Sequence, residues 1–565
     1  MKRLRWQLLI VMLSLGVIGV LLFRQQPVTQ EALPEPTTGG VYTEALIGAP
    51  SRFNPLLDYN NPVDRDVDRL IYSSLIRSDA QGLPQPDLAE SWGISRDGTI
   101  YNVSLRMNAY WHDGEQVLSE DVLFTLEMML NPEFPIPEDL RVFWSTVQVK
   151  KYNDFTLQFR LPEPFSPFLD FLTFNILPKH IWDGLTPQEL IASELNFKPI
   201  GSGAFKFDRL LVEGGKILGV VLSPFADYYL NPPFIEQFIF RFYPDASSAF
   251  QAYEEREVIG LGRVTPNILQ PSLAEPGLNV YTSRMPELSI ILFNLNNPKV
   301  GFLQEPQVRE ALLSGLNRQW MIDHILDGQA LIADGPVLPG TWAHYEGVEH
   351  VAYNPEKAIE LLRQIGFVLP AEGGVVREKD GQALSFTLLY PQDEQHRLLA
   401  EAIQHDWEQI GVELELEAVS YEELLRVYLN PRSFQAVLVD FNLGRFPDPD
   451  PYPFWHQTQV TGGQNYSQWN DRQASEYLEQ ARITVDPEER ARLYRNFQIR
   501  FMRELPALPL FYPVYTYAVD IQVYGVRVGP LFEPSDRFAT VLNWYLVTTS
   551  ETESQASPTF TPEQQ

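Results

Sequence analysis

Residues 96–132 read RDGTIYNVSLRMNAYWHDGEQVLSEDVLFTLEMMLNP. After the Arg96-Asp97-Gly98 turn, Tyr101, Val103 and Leu105 alternate with Asn102, Ser104 and Arg106, the period of two that a half-buried strand requires. The period then changes. Val122, Leu123, Leu126, Met129 and Leu130 fall on one face of a helix that Ser119 is expected to cap, with Glu120 and Asp121 well placed for the dipole in its first turn. Asn131-Pro132 closes this helix, because the residue before a proline is pushed out of the α region. Strand and helix following each other so closely predict a mixed α/β chain.

The same mixture, without segregation or internal repeat, continues outward. Asn354-Pro355 opens a helix with Ala358, Leu361, Leu362 and Ile365 inward, and Gly366 closes it. A second helix around Leu398 to Ile410 stops at Gly411. Val412, Leu414 and Leu416 then alternate with Glu413, Glu415 and Glu417, a strand with one acidic, solvated face. Asp486-Pro487, with Glu489 three residues after the cap, starts a last long helix whose Tyr494, Phe497 and Phe501 point one way.

At 565 residues the chain exceeds what one core holds, and 44% apolar with 21% charged residues is a globular composition. A formal net charge of −30 repels phosphate backbones and solvates a large surface, so nucleic acid is not an expected partner. The absence of cysteine excludes disulfides, thiolate metal sites and a Cys nucleophile, and leaves no lipobox for a lipid anchor. Lys2, Arg3 and Arg5 precede an apolar run from Trp6 to Phe23, closed by Arg24. As a helix this run is roughly 27 Å long, close to the bilayer core of about 30 Å. The charge order places the body outside the cytoplasm, and no A-x-A site precedes Pro34, which favours an uncleaved membrane anchor over a removed signal. Residues 25–40, rich in Pro, Thr and Gly, read as a spacer, and residues 548–565 as a disordered tail.

Signatures of catalysis are missing. No GxxxxGK[ST], GxSxG or HExxH pattern occurs, and the eight histidines are scattered, so no metal and no cofactor are expected. The densest polar cluster runs from Asp440 to His456. Asp448 and Asp450 could serve as a glycosidase acid and base, but between prolines they read more naturally as loop-fixing carboxylates that accept backbone N–H bonds. Trp455 and Tyr452 read equally as ligand-stacking rings or as core.

With these stretches in hand, the chain resembles the peptide, dipeptide, oligopeptide and nickel-chelate binding proteins of ABC importers, the family 5 extracellular solute-binding proteins. The stretches that carry the resemblance, in order, are SRFNPLL (51–57), PDLAESW (86–92), LRMNAYWHDGEQVLSEDV (105–122), PIGSGAFKF (199–207), DYY (227–229), VREALLSGLNR (308–318), NPEKAIELLRQIGF (354–367) and DPDPYPFW (448–455). The resemblance implies a two-lobed periplasmic-binding-protein-like fold with an extra subdomain in lobe I. Lobe I is expected at about 41–287, with its insert near 81–199, and again at 506–547; lobe II is expected at 288–505. The hinge is expected near Leu288–Asn296 and Leu505–Phe511.

The function it implies is extracytoplasmic capture of a peptide or peptide-like solute between closing lobes, and its delivery to an ABC permease and ATPase complex, by a monomer with no enzymatic activity. Alternatives on the same scaffold are an oligosaccharide or metal-chelate binder and a ligand sensor. The ligand-binding residues expected on this basis are Asn54, Asn294, Asp440, Asn442, Arg445 and Trp455. Two departures from the family stand out. Where it commonly carries a Trp and an amine-pairing acid before the Asp-Pro pair, this chain has Asn442 and Arg445, and its Gly-Glu-Val-Asp turn is replaced by Arg256-Glu257-Val258-Ile259.

Overall fold

A computed structural model describes residues 34–444 and 447–547. The expected anchor, most of the spacer, Arg445 and the expected tail lie outside the described residues. Among the described residues no helix is long and apolar enough to cross a membrane. The end of the spacer belongs to the body: the Gly39 N–H donates to the Phe234 carbonyl at 2.8 Å, and the Gly40 carbonyl accepts from Glu236 and Gln237.

Twelve strands make one large sheet. Numbered along the chain they are β1 (Val41–Ile47), β2 (Phe205–Glu213), β3 (Lys216–Pro224), β4 (Gln237–Tyr243), β5 (Gly260–Leu261), β6 (Leu278–Arg284), β7 (Glu287–Phe293), β8 (Ala330–Ile332), β9 (Ser385–Pro391), β10 (Glu413–Val419), β11 (Ala436–Asn442) and β12 (Ala507–Asp520). Their order is β10-β9-β11-β7-β12-β5-β1-β4-β3-β2, with β6 and β8 also paired to β12. The long strand β12 joins the two halves. Its residues Ala507 to Phe511 pair with β7, and Val514 to Asp520 pair with β6.

The burial pattern follows the same division. The second core along the chain gathers residues from Leu288 to Tyr512, and the first gathers residues from Tyr42 to Phe240 together with Tyr515 to Leu546. β12 contributes Leu508, Leu510 and Tyr512 to the former and Tyr515, Tyr517 and Val519 to the latter. The return of the chain to the first core is locked by Arg537, whose guanidinium is wholly buried. It donates to Glu44 of β1 at 2.6 Å and to Asp66 of the helix Pro62–Ile71 at 2.7 Å. The hydroxyls of Tyr42 and Tyr517 donate to the other Glu44 oxygen at 2.7 and 2.8 Å, so the charges of Arg537, Glu44 and Asp66 are met.

Between β1 and β2 lies a separate four-stranded antiparallel sheet, Ala89–Ile94, Ile100–Leu105, Thr156–Arg160 and Gln148–Asn153 in spatial order, flanked by the helices Ser119–Leu130 and Glu138–Thr146. The strand and the helix expected from residues 96–132 are both present. The cap differs from the expectation: Ser119 is already the first helical residue, and its buried hydroxyl has no partner. The Asp121 carboxylate takes the role by accepting the Leu118 N–H at 2.8 Å, and it also accepts the Lys179 N–H at 2.8 Å. An acid two residues into the helix reaches back to orphan N–H groups that a hydroxyl at the first position cannot.

In the altered turn Arg256 stands at φ 62, a left-handed conformation that favours glycine and strains a residue with a Cβ.

Candidate functional site

β11 runs into a loop whose alternating prolines, at 447, 449, 451 and 453, fix φ and remove N–H donors. Gly444 is required where this loop leaves the sheet, because a Cβ there would lie 2.3 Å from the Phe532 carbonyl oxygen. With every second backbone donor removed, the loop is also pinned by its carboxylates. Arg490, from the helix Pro487–Glu504, meets Asp448 with Nη1 to Oδ2 at 2.7 Å and Nη2 to Oδ1 at 3.0 Å. Arg482, from the helix Arg472–Ile483, meets Asp450 with Nε at 2.7 Å and lies 3.7 Å over the Tyr452 ring.

Burial pushes the Arg490 guanidinium down, but the Asp448 charge more than offsets this and holds it above its ordinary value. The expectation of loop-fixing carboxylates thus holds with a different partner. One backbone bond is made, from Tyr452 N–H to Asp450 at 3.1 Å, and the rest of the work is done by two arginines.

The pinned loop forms one side of a cavity of about 450 Å³, within the range of about 300–1,000 Å³ usual for small-molecule sites. β11 supplies Asp440, Phe441 and Asn442 to its wall, and the loop supplies Asp448, Phe454 and Trp455. From the insert come Leu140, Phe143, Phe165 and Phe171; the segment after β10 adds Tyr421, Leu425 and Leu429, and the returning chain adds Phe532. The insert touches the second core beside the cavity, where the Ser166 hydroxyl donates to the Thr484 carbonyl at 2.5 Å.

Asp440, on the cavity wall, is already engaged. Ser289 Oγ donates to one oxygen, and His396 Nε2 lies 3.3 Å from the other while its Nδ1 lies 2.7 Å from Asp393. Burial pushes the Asp440 carboxyl up, but the hydrogen bond and charge of His396 and the Ser289 hydroxyl outweigh it and hold the carboxyl below its usual value. Burial likewise pushes His396 down, and its two carboxylate neighbours raise it above the ordinary imidazole range.

The expected site residues divide. Asp440, Asn442 and Trp455 stand on the cavity wall. Asn442 uses its amide oxygen to accept the Gly444 N–H at 2.8 Å. Trp455 is 3% exposed and packs edge-on against Phe501 at 4.7 Å, so its ring is mostly core with one edge to the cavity. Tyr452 is stacked against His456 at 4.0 Å and is not among the lining residues. Arg445 lies outside the described residues.

Asn54 and Asn294 correct the expectation, since neither lines the cavity and both amides are spent inside the fold. Asn54 donates to Asn196 at 2.9 Å and accepts from Leu56, and Asn294 donates to the Arg432 and Phe434 carbonyls at 2.7 and 3.1 Å. Buried amides that replace missing backbone partners are structural.

The sequence reading missed the whole insert wall. A phenylalanine at every third position, Phe165, Phe168, Phe171 and Phe174, was the available signal, and its middle two members fall on a 3₁₀ helix, Ser166–Leu172, whose period is three. Among the described residues no group of three or more His, Asp or Glu side chains could hold a metal ion. The acids Asp440, Asp448 and Asp450 are each tied to a cation of the chain itself. Such an arrangement can enclose and desolvate a ligand.

The sequence profile of the bacterial extracellular solute-binding proteins, family 5, matches residues 84–464, more than half of the chain. The oligopeptide-binding protein AppA of Bacillus subtilis (strain 168) is 26% identical over 520 residues, which cover 91% of this chain and 92% of that protein. The dipeptide-binding protein of Escherichia coli (strain K12) is 27% identical over 512 residues, covering 86% of this chain and 91% of that one. The solved structure of Bacillus subtilis AppA in complex with a nonapeptide superposes with a TM-score of 0.65 at 25% identity, covering 91% of this chain and 100% of that one. The architecture is thus the two-lobed, periplasmic-binding-protein-like α/β fold.

Proposed function

The chain belongs to the family 5 bacterial extracellular solute-binding proteins, a family of binding proteins rather than enzymes, and on that premise we propose that it is the substrate-binding component of an ABC importer that captures a peptide or peptide-like solute. The observation that carries this reading is the cavity of about 450 Å³ bounded jointly by the insert, the second core and the pinned loop. A ligand that touches all of these walls at once favours the conformation in which they are close. Closure over the ligand is then a population shift driven by contacts that only the closed form makes.

In this reading the two cores are the two lobes, β12 is a hinge strand, and Asp440, Asn442, Arg445 and Trp455 contribute to the ligand site. The printed descriptions of the relatives as oligopeptide- and dipeptide-binding proteins support the ligand class. Family membership places the protein outside the cytoplasm. Finer features of the proposal are retention at the membrane through the apolar N-terminal segment, a monomeric body, and delivery to a permease and ATPase complex.

Native mass spectrometry of the freshly purified protein, followed by calorimetric titration with di- to nonapeptides, tests the ligand class. Co-purification of a peptide and its displacement by added peptide are the expected results. A non-peptide ligand that peptides do not displace would overturn the reading. Fractionation of cells with sequencing of the mature N-terminus tests the anchor, and a start beyond Phe23 would remove it.

A further inference from the structure

Resting on the peptide-binding reading above, we infer that the protein chooses among peptides by a bulky apolar or aromatic side chain, clamped between the insert phenylalanines and the Tyr421–Leu425–Leu429 stripe. Phe143, Phe165 and Phe171 form a partly exposed triangle on the insert side. Ring centroids are 4.0 Å apart for Phe143 and Phe171, and 5.5 Å apart both for Phe143 with Phe165 and for Phe165 with Phe171. An arriving ring extends such a cluster at the centroid separations of about 4.5–7 Å that aromatic pairs prefer.

The stripe on the other wall is unusual for a soluble surface. Tyr421 is 61% and Leu425 38% exposed although both line the cavity, so they gain burial only when something apolar fills it. Leu424–Leu429 is a π-helix, with the Asn430 N–H bonded to the Leu425 carbonyl five residues back at 2.9 Å. Such widened turns are rare and concentrate at functional sites.

Electrostatics point the same way. Asp440, Asp448 and Asp450 are held by His396, Arg490 and Arg482, and Asp139, the remaining acid on the wall, is engaged as well. A charged ligand side chain entering between the apolar walls therefore loses its hydration without finding an unengaged opposite charge among the described residues, whereas an apolar one gains by leaving water.

The test is calorimetric titration of the full chain with the tripeptides Gly-X-Gly, each in its free and its N-acetylated form, X being Phe, Leu, Ser, Lys or Glu, so that both termini stay constant across each panel. The Phe and Leu peptides are expected to bind about tenfold or more tightly than the other three. Tyr421→Ser and Leu425→Ser alter exposed side chains that folding does not need, and Phe143→Ala alters the opposite wall. Each is expected to shrink the Phe-to-Ser ratio several-fold, while Trp320→Ala, on another exposed surface, leaves it intact. Binding of all five peptides without an apolar preference, or a ratio that survives changes on both walls, overturns this inference alone. Failure of every peptide to bind overturns the peptide-binding reading with it.

Discussion

In the proposed site Arg445 carries the sharpest prediction about selectivity, because the resemblance puts it where the family commonly carries an acid that pairs with a peptide's amino terminus. Its flanking residues Asn442 and Pro447 both line the cavity. A guanidinium is permanently charged and presents a planar fork suited to carboxylates, so as part of the site it disfavours an ammonium and favours an anion. Acetylated peptides are expected to bind more tightly than the matched free-amine peptides, and Arg445→Asp to reverse the order, since a desolvated charge mismatch costs on the order of several kcal/mol. Titration of matched free and acetylated peptides against both proteins decides it; tight binding of a free-amine peptide that acetylation abolishes would count against it.

The Asp440–His396 pair gives a second prediction at this scale. His396 is raised above 6.5 in the folded protein, so its contribution is complete below about pH 6.5 and is lost as pH rises through the raised value. Asp440 is lowered below 3.8, so its contribution is present above about pH 3.8 and is lost as pH falls through the lowered value. The pair therefore stabilises most between these limits. His396→Gln is expected to destabilise the protein more at about pH 5.5 than at about pH 8.5, as read from urea midpoints at each pH. Equal losses at both would show that the charge of His396 does not matter.

Among the elements, the helix Ser119–Leu130 shows how one acid serves two segments. Asp121 satisfies the Leu118 N–H at the helix start and the Lys179 N–H of the following segment, and Trp111 Nε1 also points to it at 3.4 Å. Asp121→Ala removes a cap worth about 0.5–2 kcal/mol and strands a partly buried donor at about 1–3 kcal/mol more. A loss of about 2 kcal/mol or more is expected in denaturant unfolding. A loss within about 0.5 kcal/mol would mean that water replaces the carboxylate at both donors.

For the whole molecule, β12 and Arg537 make the last part of the chain indispensable to the first. A chain ending before Ala507 loses the strand that serves both cores, and leaves Glu44 and Asp66 buried without their guanidinium, a defect of about 3–5 kcal/mol by itself. Such a truncation is expected not to fold around the first core. Limited proteolysis yielding a stable fragment of residues 41–287 would contradict this.

Much of the local structure was legible in the sequence because its causes are local. Asn354 and Asp486 accept from Lys357 and Glu489 at 2.8 and 2.9 Å, as their spacing implies. Gly366 and Gly411 stop their helices at φ 97 and 81, and Glu413, Glu415 and Glu417 face solvent from the strand β10 at the sheet's edge. Caps, stops and periods act within a few residues, so one chain reveals them. The order of the motif stretches determined the family as well. What only the tertiary structure decided is which distant residues meet. Asp450 could have paired with any arginine, and the choice of Arg482, 32 residues away, follows from where two helices pack. Asn54 and Asn294 carry nothing in their neighbourhood to show that Asn196 and Phe434 would consume their amides. The cavity itself is bounded by segments from residue 139 to residue 532, and its apolar character is set by burial, which depends on the packed cores and on no single stretch of sequence.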